Sequence, residues 1–488
     1  MSQLSTVKKF VSSEDGEEFK ELVKKHYKGF VHVPSRELAP PCFYTDAKRA
    51  FETLRQKNYY HYDVVMAGGK HCSRTFVKRT LVGCPGITYK YLSLRLFAHP
   101  WSGPDAIPMM KSICNINKSM IEMTKEHTGH GLCDYNLTLI NDMPSAAFHS
   151  SVGFKEEAFY GMGKVSVSWH ADSSLQNGSS IGVCHFVSSR KATPCDWRIA
   201  LRPSPSGENG VSSDIPPISV RTADGDAYFL LGSFNEKYQH CVLAGSSQHR
   251  ISSTHRVATI EKDTYQYILR RSKTALKRLR TEVEKDEARM DYRVVLFSQK
   301  VLTELEMEWV AQYWLQGSTH NKLHVWWHKP METLESLWEN LEELTHRVYT
   351  RCIEASSAVP RAVVVAILEE FKIRQRLRQL WDERRADAVY KKRMKEDQRP
   401  IARPQFHDRK DCLPKSLSTA IQMLASVRVQ KQISTVDKTN ETNHHGVRKA
   451  QKSSAAKKKR PSSSSRKKEV HKRKRETEEE NRPLGLIL

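Results

Sequence analysis

At 488 residues the chain is long enough for two or three domains with separate cores. Its 79 Lys and Arg against 55 Asp and Glu give a formal net charge of +24, which points to a polyanionic partner rather than a neutral one. No apolar run approaches the ~20 residues of a membrane-spanning helix, and the ten scattered cysteines contain no CxxC pair, which argues against a zinc cluster and fits reduced thiols in an intracellular protein.

The elements fall in a clear order. Residues 1–17 are expected to form a flexible leader, followed from about residue 18 by a short amphipathic helix around Phe19, Leu22 and Val23. Between about 75 and 260, eight short β-prone runs recur: Leu92–Phe97, Tyr135–Asn141, Lys164–His170, Ile181–Val187, Trp197–Leu201, Asp226–Leu231, Cys241–Ala244 and Ser252–Ala258. Eight such runs predict a double-stranded β-helix, or jelly-roll. The Ser/Pro/Gly-rich stretch at 203–217 reads as a loop between two of them.

After about 262 the period becomes helical. Leu334, Leu337, Leu341, Leu344 and Val348 step by three and four, and residues 361–393 repeat the pattern around Val364, Ile367, Leu368, Phe371, Ile373, Leu377 and Leu380. The fold class is therefore α+β: a jelly-roll domain over 18–262, an α-helical bundle over 263–412, and a disordered basic tail over 413–488. Within the tail, Lys457-Lys458-Lys459-Arg460 and Lys472-Arg473-Lys474-Arg475 flank a serine run, a pattern suited to nuclear import or non-specific RNA contact. Residues 446–488 hold 15 Lys and Arg and 5 Asp and Glu, a surplus of ten, so +14 remains on the rest of the chain.

The triplet His170-Ala171-Asp172, read with His240, carries the chemistry. On a strand running into a turn, residues i and i+2 point to one side, so one strand end aims an imidazole and a carboxylate at one ion. A distant histidine closes a facial triad, the arrangement of non-haem Fe(II) oxygenases with open positions for an oxidant. The bare triplet is weak, since a lone histidine is more often a structural residue. A second feature strengthens it. Arg250, Ser252 and Arg256 differ by even numbers and share a face on one extended strand, giving a guanidinium for each end of a dicarboxylate such as 2-oxoglutarate. A solvated basic edge strand is the bland alternative.

Several blocks are nearly unbroken: Gly83-Cys84-Pro85-Gly86-Ile87-Thr88-Tyr89-Lys90-Tyr91-Leu92, Tyr135-Asn136-Leu137-Thr138-Leu139-Ile140-Asn141, Gly161 through His170, Asp226 through Leu231, and His240 through Val257. In this order they resemble the fat mass and obesity-associated demethylase family, within the AlkB-type Fe(II)/2-oxoglutarate dioxygenases, from about residue 18 to about 410. The resemblance implies that His170, Asp172 and His240 ligate Fe(II), and that Arg250, Ser252 and Tyr228 hold the far carboxylate of 2-oxoglutarate. It assigns the keto-acid end to Arg256 and Asn141. It places Arg79, Tyr89, Tyr91 and Leu92 on one wall of a nucleobase pocket, with Val167, Ser168, Trp169 and His170 on the other. A flipped base needs such an apolar or aromatic sandwich with a few directed hydrogen bonds.

Two departures stand out. The family carries an acidic residue just after the metal-binding aspartate, where this chain has Ser173, and the Trp101–Tyr135 stretch is shorter than its family equivalent. The loop after Asn141, through Phe154 and Phe159 to Gly161, is retained; by resemblance it covers the site and disfavours duplexes. The implied activity is Fe(II)-, O2- and 2-oxoglutarate-dependent demethylation of N6-methyladenosine in single-stranded RNA, or single-stranded DNA. The basic tail, which is outside the resemblance, leads to an expected location in the nucleus and in part the cytoplasm. A protein hydroxylase with the same triad and a non-catalytic RNA-binding relative remain open at this point.

Overall fold

A computed structural model describes residues 9–430 except 39, 68–70, 92–93, 129–130, 149–153, 189–194, 206–211, 213, 247, 387–394 and 405–416. Two sheets face each other. The larger runs in the order Phe30–Val33, Ala227–Leu230, Ile181–Ser188, His249–Arg256, Leu137–Met143, His71–Gly83 and His61–Ala67. The smaller runs Val11–Ser12, Ile218–Arg221, Arg198–Pro203, Tyr238–Leu243 and Val165–His170. The chain passes back and forth between the sheets, and the eight strands from Leu137 to Arg256 make the expected double-stranded β-helix.

Side-chain alternation explains the layering. Val183, Val187, Tyr228, Leu230, Ile199, Leu201 and Val242 point between the sheets into one core. Their neighbours Cys184, Phe186, Ala227 and Phe229 point out of the larger sheet and pack against helices Phe43–Gln56 and Pro108–Thr128, through Phe51, Leu54, Ile113 and Met120. The larger sheet is thus buried on both faces, which fits its runs of consecutive apolar residues. Helix and sheet approach so closely that a Cβ at Gly182 would sit 2.9 Å from the Met120 Cε.

Four expectations change. Leu92–Phe97 is not a jelly-roll strand: Leu94–Phe97 pairs only with Thr88–Tyr91, in a separate hairpin. The eighth strand is instead Ile218–Arg221, four residues that follow two prolines and are too short to show a pattern. The leader is structured from residue 9: Val11 and Ser12 pair with Ile218 and Ser219, and Glu14 binds Arg198 at 2.6 Å. The tail does not begin at 413, because residues 417–430 form a helix whose Leu417, Ala420, Leu424 and Val427 are buried in the helical core. Lys457–Arg475 lie outside the described residues.

The helical half comprises Tyr265–Glu282, Tyr292–Glu304, Val325–Glu354, Arg361–Ala386 and shorter pieces, around one core of Leu302, Trp309, Trp327, Leu334, Leu341, Val348, Ile367 and Phe371. The 361–393 pattern is met in part by Arg361–Ala386: Val364, Ile367, Leu368 and Phe371 are buried in the helical core, whereas Ile373 and Leu380 are exposed, and residues 387–393 lie outside the described residues. The hairpin joins this half to the jelly-roll. Phe97 sits edge-on to Tyr313 at 5.2 Å and Trp327 at 4.9 Å, and the Trp327 indole N–H donates to the Ala98 carbonyl at 2.8 Å. Arg95, 2% exposed, donates to the Glu308 carbonyl, Thr88 and Asp263 and lies over the Trp309 ring.

A π-helical stretch, Leu305–Val310, turns Glu306 into this core. Its carboxylate accepts from Arg378 at 2.7 and 2.8 Å and from the Trp338 indole at 2.9 Å, while Arg374 and Arg378 also bind Glu342. Burial opposes the charge, but the Arg378 guanidinium prevails and holds the Glu306 carboxyl below its ordinary range. Removing one member of such a network strands its partners in low dielectric. Glu306→Ala is therefore expected to destabilise the protein by about 3–5 kcal/mol, read by chemical denaturation. An unchanged denaturation midpoint would refute that.

Where the larger sheet meets the helices, four histidines pack together. His324 stacks on His99 at 3.9 Å and on His320 at 4.0 Å, and His61 lies edge-on to His320 at 5.5 Å. Both His324 nitrogens face backbone carbonyls, of His320 at 2.9 Å and Phe97 at 3.1 Å, and a neutral ring donates to only one. Burial pushes His61 and His324 down to about 4, and drives His99 and His320 well below the ordinary range. All four are neutral in the fold at neutral pH. As pH falls through 6.5 the unfolded chain takes up protons that the folded one refuses. Stability present above pH 6.5 is therefore lost toward pH 4, by up to about 3 kcal/mol for each of His61 and His324. Thermal melts across this range should show Tm falling steeply below pH 6.5; a flat profile down to pH 5 would contradict the assignment.

Candidate metal and co-substrate site

His170 ends its strand and stands directly opposite His240 on the neighbouring strand, their rings 4.2 Å apart. Asp172 follows two residues on, in the turn. One ligand atom from each of the three lies within 4.8 Å of the others, and this is the one such group among the described residues. The pairing is irregular between His240 and Val242: two residues lie between Val167 and His170, but only Cys241 lies between their partners. This bulge brings both Val167 and His170 to the cavity wall.

The protonation states suit metal ligation. His170 Nδ1 lies 2.7 Å from the Ser168 carbonyl, so the ring donates there and keeps its Nε2 lone pair facing Asp172 at 3.7 Å. Burial lowers the His170 pKa, and burial with the neighbouring His170 pushes His240 down to about 3. Asp172 resists its own burial because Arg256 binds it at 2.8 and 2.9 Å, which holds its carboxyl below the ordinary range. Two neutral imidazoles and one carboxylate result. Asn235 fixes the turn: its amide oxygen accepts from the Asp172 N–H and its NH2 donates to the Asp172 carbonyl, both at 2.9 Å.

Beside the triad, Arg250, Ser252, Thr254 and Arg256 all reach the same cavity from one strand, as their even spacing requires. Asn141 stands opposite Ser252 in the ladder and Tyr228 lines the adjoining wall. Arg250 is 1% exposed, and its Nε and Nη2 reach no acceptor among the described residues; neither do Nε and Nη1 of Arg256. Unanswered guanidinium donors on side chains buried this deeply are costly unless an anion completes them. The residues thus fit both a metal ion and a carboxylate ligand.

The base-pocket expectations divide. Arg79, Tyr89, Tyr91 and Val167 line the cavity. Arg79 lies 3.9 Å over the Tyr91 ring, donates to its hydroxyl at 2.8 Å, and pairs with buried Asp63 at 3.2 Å. Burial raises Asp63 to about 6 against the pull of Arg79. The Ser173 side chain hydrogen-bonds Tyr89, whose hydroxyl is pushed up to about 12 chiefly by burial. Leu92 lies outside the described residues. Ser168 and Trp169 do not join the wall. Ser168 is exposed, and Trp169 turns to the outer face of the smaller sheet, where its indole donates to Glu157 at 3.0 Å. The bulge before His170 is the cause, since it reverses the alternation that an ideal strand would keep.

Sequence reasoning missed Asp63, Asn235, Glu157 and Thr254. Thr254 was legible from its parity with Ser252 and Arg256. Asn235 is brought in from a distant segment, and Asp63 and Glu157 come from neighbouring ones that no local pattern marks.

Comparison with known proteins identifies the family. The FTO catalytic domain profile matches residues 17–120 and 108–259, and the FTO C-terminal domain profile matches residues 263–426. An alpha-ketoglutarate-dependent dioxygenase FTO from Xenopus laevis is 29% identical over 428 residues, covering 75% of this chain and 82% of that protein. Two solved structures are more distantly similar. A 2OG-Fe(II) oxygenase family oxidoreductase from Burkholderia pseudomallei is 12% identical, with a TM-score of 0.29 over 49% of this chain and 88% of its own. A Trichoplax adhaerens prolyl hydroxylase, solved with a hypoxia inducible factor peptide, is 11% identical, with a TM-score of 0.30 over 49% of this chain and 86% of its own. With the two FTO profiles adjoining in order across the jelly-roll and the helical half, the chain belongs to the FTO family of 2-oxoglutarate-dependent dioxygenases.

Proposed function

We propose that the protein removes N-methyl groups from nucleobases in single-stranded RNA, with N6-methyladenosine as its principal substrate. As a dioxygenase of this family it works with Fe(II), 2-oxoglutarate and O2. The observation that carries the reading is the cavity itself: a His-Asp-His group, two arginines with unanswered donors, and an aromatic and arginine wall, all in one enclosure.

In this reading His170, Asp172 and His240 hold the iron. Arg250, with Ser252 and Tyr228, receives the far carboxylate of 2-oxoglutarate, while Arg256 and Asn141 meet its keto-acid end. The flipped base lies between Tyr89 and Tyr91 on one side and Val167 on the other, with Arg79 and Ser173 as its polar neighbours. Iron, 2-oxoglutarate and O2 together supply the oxidation that converts N-methyl to N-hydroxymethyl, with succinate and CO2 as co-products. The hydroxymethyl group then leaves as formaldehyde and restores the base. The chain's own task is orientation: Asn235 and Ser168 fix two ligands, and buried arginines anchor a dianion that water would otherwise hold. The surplus of positive charge supports an RNA partner, and the basic clusters of residues 457–475 support nuclear import.

The deciding assay is loss of N6-methyladenosine and release of formaldehyde from a methylated single-stranded RNA, with Fe(II), ascorbate and 2-oxoglutarate, beside an Asp172→Ala control. Demethylation by the wild type alone is the expected result. Succinate formation without demethylation would keep the dioxygenase and discard the base, leaving a protein side chain as the substrate to try next. No turnover of either kind would indicate a non-catalytic RNA-binding relative. Arg250→Ala tests the co-substrate site independently: losing a charge-assisted contact should raise the KM for 2-oxoglutarate by about 10- to 100-fold. An unchanged KM would remove Arg250 from the site.

A further inference from the structure

Trp169 and Arg202 form a surface of their own on the outer face of the smaller sheet. The Arg202 guanidinium lies between two aromatic rings, 4.6 Å from the centre of Trp169 and 5.0 Å from that of Phe159. Its Nε and Nη2 both donate to Gln239, the residue before His240. Trp169 in turn immediately precedes His170. The stack therefore spans the backs of three neighbouring strands, from Arg202 across the strand of His240 to Trp169, at the end where both histidines sit.

The outermost member, Phe159, is 64% exposed, yet it is held firmly. Buried Glu157 accepts hydrogen bonds from the backbone N–H groups of Phe159, Tyr160 and Gly161 and from the Trp169 indole, at 2.9, 2.5, 3.1 and 3.0 Å. Four donors on one carboxylate lock the loop to the tryptophan, and they hold the Glu157 carboxyl below its ordinary range although burial pushes the other way. Tyr160 packs edge-on against Trp169 at 6.0 Å from the other side. A large aromatic ring kept exposed in a fixed orientation has paid its ordering cost before any ligand arrives.

We propose that the exposed face of Phe159 is a stacking step for a nucleobase of single-stranded RNA next to the one that enters the cavity, with Arg202 supplying positive charge beside the strand. The proposal rests on the nucleic-acid substrate proposed above. Base, phenyl, guanidinium and indole would form one continuous stack. Aromatic platforms of this kind accept any base, because every base presents a π-face, and they serve single strands whose bases are free to splay. The +14 surplus outside the basic tail favours a polyanion over an apolar peptide as the occupant.

The test compares the full-length wild type with Phe159→Ala and Phe159→Trp. Two readouts are direct binding of an unmodified single-stranded RNA and turnover of a methylated RNA against the free methylated nucleoside. Phe159→Ala should weaken RNA binding and raise the oligonucleotide KM by about tenfold, with Phe159→Trp restoring both. Turnover of the free nucleoside, which has no neighbouring base, should be the same in all three. Equal RNA binding by wild type and Phe159→Ala overturns the step, whatever the catalytic result. Equal losses on RNA and nucleoside also overturn it, as a structural effect. Weaker RNA binding by Phe159→Ala without demethylation by the wild type keeps the step and rejects the substrate reading. No RNA binding by the wild type rejects both.

Discussion

The placement of His170 opposite His240 on neighbouring strands is the constraint on which the site depends. Backbone hydrogen bonds of the smaller sheet hold the two imidazoles together before any ion is present. Asp172 is then added by a turn that Asn235 clamps at both its N–H and its carbonyl. Pre-assembly carries a cost, because a buried and a half-buried imidazole and a carboxylate need compensation. Arg256 provides it by pairing with Asp172, and the same guanidinium keeps two further donors for a ligand.

The rest of the cavity follows from the two-residue period of a strand. His249–Arg256 pairs with Leu137–Met143 on one side and Ile181–Ser188 on the other, so every second side chain faces inward among apolar neighbours. Arg250 is among the largest fully buried side chains of the protein. A charge so placed is an expense that packing alone does not justify. It becomes intelligible as half of an interaction whose other half is an anion.

The helical half reaches this site through a hairpin and through the strands beside it, where Gln316 and Arg384 bind the Val64 backbone. Thr88–Tyr91 supplies the tyrosines of the cavity wall, while Arg95 and Phe97 on the returning strand are built into the helical core. That wall of the cavity is therefore only as rigid as the joint between the halves, where the stacked histidines and the Asp63–Arg79 pair also lie. Arg79 links the two regions, reaching Asp63 at the joint and Tyr91 in the cavity.

Much of this was legible in the sequence, for physical reasons. The HxD spacing and the even spacing of Arg250, Ser252 and Arg256 are local consequences of strand geometry, and the three- and four-residue steps from Leu334 to Val348 are local consequences of helix geometry. Seven of the eight jelly-roll strands showed themselves the same way. What remained hidden depended on partners far along the chain. Ile218–Arg221 is a strand because Arg198–Pro203 offers it an edge, and Val11–Ser12 because Ile218–Arg221 then does. Trp169 is turned away from the cavity because a bulge, set by pairing with Tyr238–Leu243, reversed the alternation of its strand. Along regular stretches such as Arg250 to Arg256 the sequence by itself determined which side chains share a face, since there that depends on the backbone period alone. Only the tertiary structure decided which face looked into the cavity, because sheet register and burial are settled between segments that no local pattern connects.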